Sequence, residues 1–126
     1  MSLKNPYQTY QKQAVTTSKP EELTLMLYQG MVKFIRLAKL SHENKKFEEC
    51  HNYNLKAQDI LSELMVTLNK DYSISDSLLP LYTYMKQRLI KANVSRNLEI
   101  LEEIEGFAVE LTETWSTAMK LAKTKL

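Results

Sequence analysis

From Leu23 onward the chain repeats apolar residues at steps of three and four, with almost nothing to interrupt them. Cys50, Tyr53, Ala57, Leu61, Leu64 and Leu68 follow one another at steps of three, four, four, three and four. That spacing places all six on one face of an α-helix, and a strand, with its period of two, has no use for it. The chain holds only two glycines, Gly30 and Gly106, and three prolines, Pro6, Pro20 and Pro80. An all-β chain needs many more turns, so this punctuation favours long helices.

The helix starts are legible. Ser18-Lys19-Pro20-Glu21 has the form of a capping box, and proline with two acids suits the unpaired amides and positive dipole end of a first turn. It predicts a helix over about 20–42 with Leu23, Leu27, Met31, Phe34, Ile35 and Ala38 on one broad face. Leu25, Met26, Tyr28, Val32 and Leu37 lie on other faces, so cover on more than one side is expected. The Cys50 stripe belongs to a second helix over about 46–70. Ser73 or Ser75 caps a third over about 76–93, built on Leu78, Tyr82, Met85, Leu89 and Ala92, with Pro80 tolerable in its first turn. Ser95 or Asn97 caps a fourth over about 97–123, reading Leu101, Ile104, Ala108, Leu111, Trp115, Ala118 and Ala122. Breaks of about five residues between long helices leave antiparallel neighbours as the natural solution. The expected fold is all-α: an antiparallel up-down four-helix bundle over 18–126, preceded by a short N-terminal helical or extended segment over 1–17.

Length and composition bound the function. At 126 residues the chain is expected to be one domain with a sizeable core. A net charge of +2, with basic residues spread along the chain, excludes a nucleic-acid footprint. One cysteine fits a reducing compartment, and neither a signal peptide nor an apolar run of roughly 20 residues is visible, so a cytoplasmic address without a membrane span is expected. Glu48 and His51 form one Glu-x-x-His pair, but di-iron bundles need two, and His42 has Lys39 at the matching position. Cys50 and His51 are adjacent, point about 100° apart on a helix and cannot act as nucleophile and base. No glycine-rich phosphate loop is present. No metal, cofactor or catalytic activity is expected, which leaves binding.

An apolar surplus supports that conclusion. With one stripe per helix assigned to the core, Leu25, Tyr28, Leu55, Ile60, Val66, Leu81, Tyr84, Ile90 and Phe107 remain. Broad core stripes account for some of them; together they exceed what a bundle needs and predict outward faces awaiting a partner.

The residues resemble the FliS family of flagellar secretion chaperones, which bind flagellin. The leader carries Tyr-x-x-Tyr at Tyr7 and Tyr10, Val-x-Thr-x-x-Pro-x-Glu-Leu from Val15, and Leu-Met-Leu-Tyr-x-Gly from Leu25. "KAQDILSEL" at 56–64, "LYTYMKQRLIKAN" at 81–93 and "EEIEGFAVELTETW" at 102–115 complete a resemblance over about residues 5–120. Departures are modest: "KDYSISDS" lacks the glycine frequent there, Gln29 stands where Asp or Asn is common, and Asn97 replaces a frequent Asp. The resemblance implies a non-catalytic antiparallel bundle that holds the disordered C-terminal segment of flagellin in the cytosol. There it prevents premature polymerisation and passes the client to the type III export apparatus. It also makes other flagellar regulators candidate partners. The rival reading is a helical adaptor or self-assembling bundle whose partner is itself folded.

Eight residues are expected to form the flagellin-binding groove or its cover: Tyr7, Tyr10, Tyr28, Lys56, Ile60, Tyr84, Met85 and Asn93. Six of them place the groove on the second and third helices and the start of the first. Lys56 and Asn93 are expected to fix the direction of the bound chain through its backbone. Core packing is the competing role for Ile60 and Met85, and solvent or a helix end for Lys56 and Asn93. Tyr7, Tyr10, Ala14 and Val15 have helical spacing upstream of the first helix. Residues 5–15 are expected to form a short amphipathic helix docked as a lid over one groove, anchored by Tyr7 and Tyr10, that the incoming client displaces.

Overall fold

The computed structural model describes residues 19–68 and 74–124. They form α1 (Pro20–Glu43), α2 (Phe47–Thr67), α3 (Ser75–Ser95) and α4 (Leu98–Thr124), with no strand among the described residues. Each helix packs on its neighbours in the chain, and α4 returns to α1 to close the ring. The all-α, up-down bundle is therefore the architecture. Leu27, Met31, Ile35, Ala38, Ala57, Leu61, Leu64, Tyr82, Met85, Leu89, Leu101, Ile104 and Ala108 are each at most 2% exposed and make the core. These are the stripe residues, which is why three- and four-residue steps on four helices can meet along one axis.

Local details differ from the expected ones. The helix begins at Pro20, but Lys19 is its N-cap, and Glu22 rather than Glu21 reaches back to accept the Lys19 backbone N–H at 3.1 Å. Ser18 lies outside the described residues, as do Ser73 and residues 69–73 after α2. Ser75 is the first residue of α3 rather than its cap, so Pro80 falls in the second turn. Its ring denies the exposed Asp76 carbonyl a helical donor, a loss that water can make good. Asn97 caps α4 as expected, its Oδ1 accepting the Ile100 N–H at 3.3 Å.

The α4 stripe does not stay buried to its end. The Trp115 indole N–H donates to the Glu21 carbonyl at 2.9 Å, in the first turn of α1. Beyond that level α4 outruns α1, so Ala118 and Ala122 are exposed instead of joining the core. At the opposite end the two short turns are clasped together. His42 Nε2 donates to the Arg96 carbonyl at 3.1 Å, and the Arg96 guanidinium lies 4.4 Å from the centre of the Phe47 ring.

Candidate binding surface

Four seams run between neighbouring helices. On the α1–α2 seam the Phe34 and Tyr53 rings stack at 6.2 Å, and Lys56 Nζ sits 5.7 Å from the Phe34 centroid. Lys56 is thus a half-buried cation held by an aromatic face.

The α2–α3 seam has a polar floor. Asn54, 1% exposed, donates through Nδ2 to the Leu89 carbonyl at 2.9 Å, and its Oδ1 accepts from Gln58 Nε2 at 2.7 Å. Asn93 Nδ2 donates to the His51 carbonyl at 3.3 Å one turn further along. Leu55 and Ile90 each follow a floor residue by one position, which turns them about 100° toward solvent. They are 40% and 44% exposed. Asn54 and Gln58 were missed by the apolar reading. Their signal was a polar i, i+4 pair set directly beside a core stripe.

On the α3–α4 seam the Tyr84 hydroxyl donates to Glu103 at 2.5 Å, and Arg88 Nε donates to the same carboxylate at 3.0 Å. The bond to Glu103 pushes the Tyr84 phenol above its ordinary value and holds the Glu103 carboxyl below its own. Phe107 meets the Tyr84 ring edge-on at 6.2 Å, leaving Tyr84 41% exposed.

The α4–α1 seam is an ion-pair cluster in which Arg36 Nε and Lys39 Nζ each donate to Glu105 at 2.7 Å. Burial alone would raise the Glu105 carboxyl, but these two bonds outweigh it and hold it below the ordinary carboxylate value. A depressed folded value contributes stability above the unfolded value that is lost as pH falls through the folded one. Glu105→Gln is therefore expected to cost about 1 kcal/mol near neutral pH and to flatten the acid limb of stability below about pH 4. Chemical denaturation of both proteins across that limb checks this.

The six expected site residues that are described are spread over the core and three seams. Tyr7 and Tyr10 lie outside the described residues. Tyr28 and Ile60, counted in the apolar surplus, are buried at 1% and 4%, and Met85 is fully buried. The stripes are broad enough to absorb all three. Lys56 borders α1, Asn93 bridges α2 and α3, and Tyr84 faces α4. Glu48 and His51 are exposed, and no cluster of three or more His, Cys, Asp or Glu side chains suited to a metal occurs among the described residues. No described helix is long and apolar enough to cross a membrane.

Bundle and seams together define a four-helix protein with exposed apolar side chains along its seams. The chain belongs to the FliS family: a family model for the flagellar protein FliS matches residues 3–122. It is 42% identical over 120 residues to the flagellar secretion chaperone FliS of Bacillus subtilis, covering 95% of this chain and 90% of that protein. The Campylobacter jejuni flagellar secretion chaperone FliS is 29% identical over 111 residues, 86% of this chain and 87% of that one. A solved structure described as a flagellar chaperone from bacteria superposes with a TM-score of 0.76 at 21% identity, covering 92% of this chain and 98% of that chain, which supports the fold. The family is one of non-catalytic chaperones, so the chain is a flagellar secretion chaperone and not an enzyme.

Proposed function

We propose that the chain acts in the cytoplasm, holding the disordered C-terminal segment of newly made flagellin. It thereby prevents premature polymerisation and assists type III export. The observation that carries this reading is the outward α2–α3 seam, where exposed Leu55 and Ile90 flank a satisfied polar floor. A segment that becomes helical in the filament presents apolar faces with nothing to cover them, and an outward helix-lined seam accepts such faces. Asn93 borders this surface and is the group that orients the bound backbone, while Lys56 lies on the neighbouring α1–α2 seam. Tyr84 extends it toward α4.

Calorimetric titration with roughly the last 40 residues of the host's flagellin is the test. Coupled folding in an apolar groove predicts one-to-one binding with a large negative heat capacity and unfavourable entropy. Absence of binding at micromolar peptide to folded protein would remove flagellin as the client.

The same reading gives Tyr7 and Tyr10 the role of anchoring residues 5–15 as a lid over the groove. Deleting residues 1–14 is then expected to tighten flagellin binding by a factor of roughly 5–150, the release of about 1–3 kcal/mol of aromatic burial, and to promote self-association. Unchanged affinity with full solubility would sink the lid.

A further inference from the structure

The α2–α3 seam carries a second apolar level. Leu55 and Val66 stand eleven residues apart on α2, and Leu79 and Ile90 eleven residues apart on α3. All four side chains are exposed. The Asn54–Leu89 and Asn93–His51 bonds fix an antiparallel register that sets Leu55 and Ile90 within one turn of each other. Eleven residues up α2 and eleven back along α3, Val66 and Leu79 are level to the same degree. At a rise of 1.5 Å per residue the two apolar levels lie about 16 Å apart.

Between the two levels the seam is polar. Ser62 Oγ donates to the Gln58 carbonyl at 3.2 Å and Thr83 Oγ1 to the Leu79 carbonyl at 2.9 Å. Both hydroxyl hydrogens are thus engaged within their own helices. The charges along this stretch are sorted by helix. Asp59 and Glu63 are exposed on α2, whereas Lys86 is half-buried on α3. The other two cations of the stretch turn away, Lys56 to the Phe34 ring on α1 and Arg88 to Glu103 on α4.

We propose that the seam takes a single amphipathic helix, formed on binding by an otherwise disordered segment, with apolar residues at i and i+11. This rests on the reading of the bundle as a carrier of an unfolded segment, and it names the conformation, spacing and charge of what is carried there. Eleven residues make three helical turns plus about 20°, so both anchors leave one face of the incoming helix. An extended chain crosses 16 Å in about five residues, an odd number that turns its two anchors to opposite faces. Backbone needs agree with this. The amides and carbonyls of α2 and α3 are used within those helices, so the seam offers a strand no ladder, whereas a helix satisfies its own backbone. Charge complementarity sets the flanks, with Lys or Arg toward Asp59 and Glu63, and Asp or Glu toward Lys86. Because the flanks differ in sign, a given helix is favoured in one direction along the seam.

The probe is a synthetic alanine-rich peptide of about 18 residues, with two leucines at i and i+11, lysines along one flank and glutamates along the other. Calorimetry with the full-length protein is expected to show saturable one-to-one binding. Moving the second leucine to i+7 keeps it on the same face but sets it against the polar middle. That peptide is expected to bind about tenfold more weakly. Giving both flanks the same charge is expected to weaken binding about threefold at low salt and little at high salt. Val66→Asp changes a side chain that is 80% exposed, so the fold stands, and it is expected to erase the preference for i+11. Equal affinity of the two spacings for the native protein, or no saturable binding, overturns the helix subsite. So does self-association of the native protein that Val66→Asp abolishes while no peptide binds, which gives the seam to a second copy. Flagellin peptide that binds a protein blind to the designed helix overturns the subsite and leaves the carrier reading intact. A designed helix that binds with the i+11 preference where the flagellin peptide does not supports the subsite and overturns flagellin as its occupant.

Discussion

Replacing Leu61 with alanine is expected to destabilise the protein by about 2–5 kcal/mol, a large share of the roughly 5–15 kcal/mol available to a domain of this size. Leu61 is fully buried in the middle of the α2 stripe. Truncation there removes apolar burial and leaves a cavity that the close-packed core collapses only partly to fill. Denaturant unfolding should show a lower midpoint with an unchanged slope, the mark of lost stability without a change in compactness. Val66 lies on the same helix, 80% exposed, and Val66→Ala is expected to stay within about 0.5 kcal/mol. Equal effects at the two positions would mean that the α2 stripe does not face the core.

The second large effect belongs to Asn54→Asp, a change of one atom group at a position 1% exposed. The aspartate can no longer donate to the Leu89 carbonyl, and a buried negative charge faces that oxygen instead. A loss of about 3–5 kcal/mol is expected at neutral pH. The pH dependence is diagnostic. Burial favours the neutral acid, so the folded-state pKa of this aspartate rises above its unfolded value near 3.9. Between those two values the folded state binds a proton that the unfolded state does not, so the variant regains stability as pH falls through that window. Glu105 works in the opposite direction, so each measurement is compared with the native protein at the same pH. A deficit that does not shrink on acidification would show that the charge has found solvent and that the α2–α3 floor opens readily.

The main axis of the molecule was legible because helix formation and core burial use the same spacing. Leu27, Leu61, Leu89 and Ile104 were each placed by three- and four-residue steps, and each is fully buried. Tyr28 shows where that logic ran out. One helical step from Leu27, it read as surplus, yet its ring fills the core against Tyr82 and Trp115. Only the approach of α3 and α4 covers that flank of α1, and nothing local to α1 announces it. Ala118 errs the other way. It continues a regular stripe, but stripes predict burial only where a partner helix reaches, and α1 stops at the level of Trp115.

The candidate surface was harder to read for the same reason. Tyr84, Lys56 and Asn93 belong to short recognisable blocks, but block membership says nothing about which seam a side chain borders. Glu103 supplies Tyr84 with its partner from 19 residues away, and Phe34 holds Lys56 from the preceding helix.

The amino-acid string alone sets the number and order of the helices, the position of their breaks and the face each turns inward. These depend on interactions within about four residues and on the sorting of apolar from polar groups. The pairing of α4 with α1, the polar floor of Asn54 and Gln58, and the Tyr28–Tyr82 hydroxyl pair came only with the assembled bundle. Each joins helices or needs a partner helix to exclude water, so its free energy exists only once all four have packed.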